Sequence, residues 1–166
     1  MATDTKVETP AVTRASKRET EVSSFEVEDK FFEKKIKQFF KKEELPITTF
    51  EWGDVVNRLE PKTSGCETFV VMDVTLDPGG MHNFHKHVDQ DEIIIVLKGK
   101  VEQWVDKNKQ ILNAGDSAFV PKNTVHASFN IFDEPATLQV VLAPAKGETG
   151  YELVDVAEEE PWKSIR

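Results

Sequence analysis

The stretch GGMHNFHKHVDQDEIIIVLKG, residues 79–99, combines glycine turns, an apolar run and a metal-ligand pattern. His85 and His87 stand two positions apart, and Glu92 follows at the head of the apolar run. Side chains alternate between the two faces of a β-strand, so His-x-His places both imidazoles on one face. A carboxylate that enters so apolar a strand is costly to bury unless a cation neutralises it. The stretch therefore predicts two imidazole ligands and one carboxylate ligand for a metal ion.

A second stretch, GDSAFVPKNTVHASFN at residues 115–130, supplies a third histidine, His126. Three neutral nitrogens and one anionic oxygen form a ligand set that suits a single divalent transition metal ion, Fe, Mn, Ni, Cu or Zn. A single histidine in either stretch would be read as a hydrogen-bonded core residue. Three histidines and a glutamate at matched spacing favour the metal site.

The two stretches resemble the two signatures of the cupin superfamily, in its small single-domain metal-binding form. The first signature is matched by Gly79, His85, His87, Glu92 and Gly99, and the second by Gly115, Pro121, His126 and Asn130. Asn123 stands where the family usually has glycine, and asparagine tolerates a left-handed turn better than other non-glycine residues. The resemblance implies a metal ion held by the three histidines and Glu92.

The fold expected from this resemblance is all-β, a double-stranded β-helix or jelly-roll cupin barrel with an N-terminal helical extension. Short strand-like segments between turn signals agree with it. They lie at residues 47–50, 67–76, 84–88, 92–97, 101–105, 117–120, 126–129 and 137–142. We expect a disordered tail over 1–24, an amphipathic helix over 25–45, the cupin barrel over 46–155 and a C-terminal tail over 156–166.

The helical extension rests on a stripe of apolar residues, Phe32, Ile36, Phe39 and Phe40, at helical spacing before Pro46. We expect this stripe to pack on the barrel or on a second subunit. A membrane-surface helix is the alternative, because six lysines lie in residues 28–45, but five acidic residues there weaken attraction to anionic lipid.

Composition excludes several classes of partner. The net charge is −9, and residues 46–166 carry all of it, with eleven basic against twenty acidic residues. An acidic body argues against nucleic acid. No stretch has the length or apolarity of a membrane span, and no secretory signal is visible, so a cytoplasmic protein is expected. A homodimer is expected from the cupin resemblance.

Strand alternation also nominates pocket residues. Ile94 and Val96 share the face of Glu92, and Ser128 and Asn130 share the face of His126. His82 lies three positions before His85, which suggests a rim or pocket residue instead of a ligand. No catalytic acid or base beyond the metal ligands can be placed at the cavity from the sequence.

The functional expectation is a metal-dependent cupin enzyme acting on a small polar or carboxylate-containing molecule, with a dioxygenase-type oxidoreductase favoured. One alternative is a non-catalytic, metal-containing module that binds or senses a small ligand. A metal-dependent decarboxylase, isomerase or lyase is a further alternative, because the fold does not choose among these reactions.

Overall fold

Two antiparallel sheets form the protein, in a computed structural model that describes residues 37–166. The six-stranded sheet contains, in spatial order, β1 (Ile47–Phe50), β2 (Gly53–Leu59), β3 (Val70–Leu76), β10 (Ala136–Ala143), β5 (Asp91–Lys98) and β8 (Ser117–Val120). The five-stranded sheet contains β11 (Val154–Asp155), β4 (Met81–Lys86), β9 (His126–Phe129), β6 (Lys100–Val105) and β7 (Asn108–Asn113). Strands distant in sequence are neighbours in both sheets, as in a jelly roll, which confirms the expected fold class.

The space between the sheets is filled by the inward-facing residues of the strands. β10 shows the required alternation, with alternate residues buried from Ala136 to Leu142. The buried cluster comprises Val70, Met72, Val74, Leu76, Ile94, Val96, Val101, Leu112, Val120, Ala136, Leu138, Val140 and Leu142. Apolar burial on this scale is the main stabilising contribution to the barrel.

A second apolar cluster lies on the other side of the five-stranded sheet. Phe84 lies at its centre, with its ring centroid 5.6 Å from that of Trp104 and 5.5 Å from that of Phe129. The C-terminal segment covers them through Val156 and the short helix Trp162–Ile165. Residues 156–166, expected as a tail, are thus packed against the barrel.

Besides the two-residue β11, two strands are absent from the segments expected from the sequence. β2 and β7 are rich in polar residues and lack the apolar alternation that marks the other strands. β2 forms because it pairs with β3 on one side and β1 on the other. β7 forms because it closes a tight hairpin with β6. Tertiary pairing, not local pattern, specifies both strands.

The expected N-terminal tail and most of the expected helix lie outside the described residues. Within the helix range, residues 37–41 have no regular secondary structure, and a single 3-10 turn, Lys42–Glu44, follows. The prediction of an α-helix over residues 25–45 is therefore wrong for its last nine residues, 37–45. Phe39 is 80 % exposed. No helix among residues 37–166 is long and apolar enough to cross a membrane.

Candidate metal centre

Four side chains from three strands and one turn meet inside the barrel. They belong to His85 on β4, His87 just after it, Glu92 on β5 and His126 on β9. All four are buried, and one ligand atom from each lies within 4.8 Å of the others. The pairing of β4 with β9 sets His85 opposite His126. Strand pairing therefore brings together residues that are up to 41 positions apart in the chain.

The histidine rings are oriented by backbone carbonyls. Nδ1 of His85 donates to the carbonyl oxygen of Asn83 at 2.6 Å, and Nδ1 of His126 donates to that of Thr124 at 3.1 Å. Nδ1 of His87 donates to a third carbonyl oxygen, at 2.7 Å. Because a carbonyl oxygen only accepts, each neutral ring carries its proton on Nδ1 and presents a lone pair on Nε2. Three Nε2 lone pairs thus face one point.

The three Nε2 atoms and the carboxylate match the donor set of a divalent transition-metal site. Nε2 of His85 is buried and has no hydrogen-bond partner among the described residues. Oε2 of Glu92 lies 2.8 Å from Nε2 of His126 and 3.3 Å from Nε2 of His87. A buried nitrogen without a partner is costly, and a divalent transition metal would satisfy all four groups at once. The residues present therefore fit such an ion.

The electrostatics of the cluster hold Glu92 ionised. Burial alone would raise its pKa, but the neighbouring His126 and His87 outweigh burial and lower it. In return, the charge of Glu92 outweighs the effect of burial on His126 and raises the pKa of that ring. Burial, with the nearby rings of His82 and His126, lowers the pKa of His85. Metal binding requires a carboxylate and neutral imidazoles, so Glu92 and His85 are already in the required states, whereas an incoming ion would displace a proton from His126.

A cavity of about 270 Å³ opens onto the cluster. Its polar lining residues are His82, His87, Glu92 and Tyr151, and its apolar lining residues are Phe50, Trp52, Val55, Met72, Val74, Val140 and Leu142. The ring of His82 lies 4.1 Å from that of His85, centroid to centroid. The ring of Tyr151 lies 6.1 Å from that of His87. His82 thus stands on the cavity wall beside the cluster but is not one of its four members.

A buried glutamine fixes the segment that carries Tyr151. Nε2 of Gln90 donates to the carbonyl oxygens of Pro144 and Gly150, at 2.7 and 2.9 Å. Its Oε1 accepts from the backbone N–H of Glu152 at 2.9 Å. One side chain thus holds both sides of Tyr151, and it also positions the carbonyl of Glu152 that orients His87.

The remaining pocket candidates lie elsewhere. Ile94 and Val96 face inward, as strand alternation requires, but they belong to the apolar core. The hydroxyl of Ser128 donates to Oε1 of Gln103 at 2.6 Å. The side-chain amide of Asn130 donates to the carbonyl oxygens of Leu76 and Glu134, at 3.0 and 2.8 Å. None of the four is among the described residues that line this cavity, and their contact with a ligand stays a prediction.

Sequence reasoning missed the far wall of the cavity. Met72, Val74, Val140 and Leu142 lie on strands that the sequence predicts, so period-two alternation could have placed each pair on one face of its strand. Trp52 lies in the turn between β1 and β2, and no local pattern marks it.

Comparisons with known proteins agree with the fold. A family model for the cupin domain, Cupin_2, matches residues 72–142. The protein is thus a β-barrel of the double-stranded β-helix class with a candidate metal centre inside. The segment that matches the cupin domain contains all four members of the cluster.

Two curated relatives share part of the sequence. The uncharacterized protein YdbB of Bacillus subtilis is 44 % identical over 48 residues, which is 28 % of this chain and 42 % of that protein. An uncharacterized protein of Aquifex aeolicus is 38 % identical over 61 residues, which is 37 % of this chain and 50 % of that protein. The chain spans half or less of the length of these relatives.

Solved structures share the fold at low identity. KdgF from Halomonas sp. has a TM-score of 0.59 at 21 % identity, covering 66 % of this chain and 96 % of that one. Oxalate decarboxylase of Bacillus subtilis, which has Mn(II) centres, has a TM-score of 0.59 at 24 % identity, covering 68 % of this chain and 30 % of that one. A double-stranded β-helix protein of Klebsiella pneumoniae has a TM-score of 0.57 at 24 % identity, covering 72 % of this chain and 98 % of that one.

Proposed function

We propose that the chain is a metal-dependent cupin enzyme of the dioxygenase type, acting on a small molecule with a carboxylate or similar oxygen head group. The ligands are His85, His87, Glu92 and His126, and the ion is Fe, Mn, Ni, Cu or Zn. The convergence of three Nε2 lone pairs and one carboxylate oxygen at the end of an open cavity carries this proposal. His87 and Glu92 line that cavity themselves, so a small molecule in it would reach the ion.

A bound divalent ion would supply Lewis acidity or a redox couple at this point. The chain's own contribution is to fix the ligands. Three backbone carbonyls hold the imidazoles in one tautomer. With three neutral ligands and one anionic ligand, the loaded site would carry about one positive charge, which attracts an anionic head group despite the acidic surface.

Two groups able to move protons favour an enzyme over a binding module. His82 and Tyr151 both line the cavity next to the ligands. An imidazole and a phenolic hydroxyl can accept and donate protons at a bound molecule. A module that only stores a metal or senses a ligand needs neither group.

The apolar wall favours the dioxygenase type over the decarboxylase, isomerase and lyase alternatives. Seven of the eleven described lining residues are apolar, and no lysine or arginine is among the eleven. Dioxygen is a small apolar molecule and enters such a space without losing hydrogen bonds. A multiply charged substrate would find one cationic partner, the loaded metal site, and its remaining charges would lose hydration without a partner.

Elemental analysis followed by oxygen-uptake measurements tests the proposal. The purified chain should contain about one transition metal ion and should consume dioxygen with a chelating carboxylic acid or enol as substrate. His126→Ala should lose both metal and uptake. A chain that neither holds nor takes up any of the five metals would disprove the metal centre. Metal-loaded protein that binds a small ligand without oxidising, decarboxylating or isomerising it would establish the binding module instead.

We also propose a homodimer that forms through the outer face of the six-stranded sheet. Val141, Ile93 and Phe119 are neighbours across β10, β5 and β8 on that face. Phe119 is 61 % exposed, and an apolar patch of this kind is typical of an interaction surface.

A further inference from the structure

Polar and apolar groups are segregated inside the cavity. Of its four polar lining residues, His87 and Glu92 belong to the four-residue cluster. The ring of His82 lies tilted beside that of His85, and the ring of Tyr151 lies edge-on to that of His87. The rest of the described lining is apolar. A molecule bound here therefore finds groups that can bind its oxygen atoms only at the end of the cavity next to the four-residue cluster.

The apolar wall begins immediately beside the carboxylate and continues across three strands. Leu142 is the register partner of Glu92 in the β10–β5 ladder, so the two side chains point the same way into the barrel. Val140 pairs with Met72 of β3 in the same manner. Val74 pairs in turn with Val55 of β2. These positions lie on paired strands, so the wall is rigid.

An aromatic pair stands at the end of this wall. The rings of Phe50 and Trp52 are stacked, with centroids 4.8 Å apart and planes 4° from parallel. Trp52 also lies 5.7 Å from His82, centroid to centroid, so it reaches towards the polar end. Phe50 is 45 % exposed, which places the pair where a ligand would enter. Flat aromatic faces offer a stacking surface to a planar apolar group.

The backbone of Trp52 is held in place by the turn between β3 and β4. Its carbonyl oxygen accepts from the N–H of Asp77 at 3.0 Å. A Cβ on Gly80 would lie 2.3 Å from the same oxygen, so only glycine allows this close approach. The glycine turn of the first signature thus positions a cavity wall as well as a strand.

Size and charge limit the ligand further. A cavity of about 270 Å³ lies just below the usual range for drug-sized ligands, so it suits one ring with a short substituent. A second carboxylate or a row of hydroxyls at the far end would be buried against Val55, Val74 and Met72 without partners.

We propose that the cavity takes a small molecule with one oxygen-chelating head and a planar apolar body, such as a catechol or an aromatic 2-oxo or 2-hydroxy acid. The head lies at the four-residue cluster and the ring lies between the strand wall and Trp52. This inference rests on the proposed metal function, and it excludes short dicarboxylates and sugar acids as substrates.

A matched pair of chelators tests it on the metal-loaded full-length chain. Benzohydroxamate and acetohydroxamate share one chelating head, and only the first has a ring. Calorimetric titration should show that benzohydroxamate binds about tenfold more tightly or better, because the ring buries apolar area. Oxalate, a dicarboxylate without an apolar body, should bind more weakly than benzohydroxamate.

Two wall variants should abolish the preference for the ring. Trp52→Ala removes the stacking surface, and Val55→Phe fills the space where the ring would lie. Both should keep their metal and their affinity for acetohydroxamate. Phe69→Ala, at an aromatic residue that does not line the cavity, should keep the full preference.

The outcomes separate the two proposals. Equal affinities for the two hydroxamates in metal-loaded protein, or tighter binding of oxalate, would overturn the apolar-body inference and leave the metal function intact. A preference that survives in both wall variants would also overturn it, because the ring would then bind elsewhere. A chain that holds no metal and binds neither hydroxamate would overturn the metal function and, with it, the inference built on it.

Discussion

His87 and Glu152 are joined by a hydrogen bond across 65 positions of the chain, from Nδ1 of the imidazole to the backbone carbonyl oxygen, at 2.7 Å. Glu152 is itself held by Gln90, which accepts from its N–H. The buried side-chain amide of Gln90 therefore supports the candidate metal ligand His87 and, through the same segment, the cavity residue Tyr151.

Gln90→Leu should weaken both the fold and the metal site. The change leaves the N–H of Glu152 and the carbonyl of Pro144 without their partner, at a cost of about 2–4 kcal/mol in unfolding free energy. Metal affinity should fall by about 10–100-fold, as is typical when a group that orients a ligand is lost. Urea unfolding and a competitive chelator measure the two effects. Gln110→Leu, at an exposed glutamine, is the control, and an equal loss there would contradict the argument.

A ligand and a wall residue should respond differently to substitution. His126→Ala removes one of the four converging donors, so metal content should fall from about one ion per chain to near zero while the far-ultraviolet spectrum of the barrel persists. His82→Phe should retain the metal, because His82 lies on the cavity wall outside the four-residue cluster. Elemental analysis of both purified variants is the measurement. Loss of metal in His82→Phe would make His82 a fifth ligand.

The sequence predicts the four clustered residues better than it predicts the cavity, and the reason is physical. His85, His87 and Glu92 lie within eight residues, on or between two consecutive strands, and period-two alternation predicts that the two histidines share a face. Asn123 has a φ of 59°, the left-handed conformation expected of an asparagine in a glycine position.

The cavity wall depends on contacts that no local pattern contains. Tyr151 lines the wall because Gln90 anchors the segment that carries it. Trp52 lines the wall because Gly80 has no side chain and leaves room for the carbonyl oxygen of Trp52. Ser128 points inward, as strand alternation predicts, but its hydroxyl donates a hydrogen bond to Oε1 of Gln103. Alternation determines the face of the sheet on which a side chain lies, but the neighbouring strands determine which residues it contacts there.

Tyr151 is the one tyrosine in the chain, so its ionisation can be followed directly by tyrosinate absorbance. Burial raises the pKa of its hydroxyl, and the negative charge of Glu60 raises it further. Glu60 is fully buried, and neither of its carboxylate oxygens has a hydrogen bond within the described residues. Glu60→Gln removes that charge, so the pKa of Tyr151 should fall.

The matched control for this titration is Glu148→Gln, since Glu148 is exposed. It should leave the tyrosinate midpoint where it is in the wild type. A midpoint that stays unchanged in Glu60→Gln, measured in metal-free protein, would show that the charge of Glu60 does not reach the hydroxyl.

Acid should destabilise the metal-free protein through His82. Burial lowers the pKa of this imidazole from 6.5 to about 4 in the folded chain, so the unfolded chain binds more protons between these two values. The contribution of His82 to unfolding free energy therefore falls as the pH drops from 6.5 to about 4. His126 acts oppositely, because its raised pKa adds stability below 6.5 that is lost as the pH rises.

The comparison that isolates His82 is urea unfolding of metal-free wild type and His82→Phe across this pH range. The variant should lose less unfolding free energy on acidification than the wild type does. Parallel curves for the two proteins would mean that His82 is not held neutral by its surroundings.

The proposed homodimer predicts that one charge on the outer face of the six-stranded sheet separates the subunits. Phe119 pairs with Ile93 across β8 and β5, and both side chains are exposed in the single chain. Phe119→Glu places a charge in the centre of this patch, where burial against a second copy would be costly. Light scattering should therefore show a dimer for the wild type and a monomer for the variant. Ile131→Glu changes an isoleucine that is 50 % exposed in the loop after β9, and it should remain dimeric. A wild-type chain that scatters as a monomer at all accessible concentrations would contradict the dimer, and a dimeric Phe119→Glu variant would place its interface elsewhere.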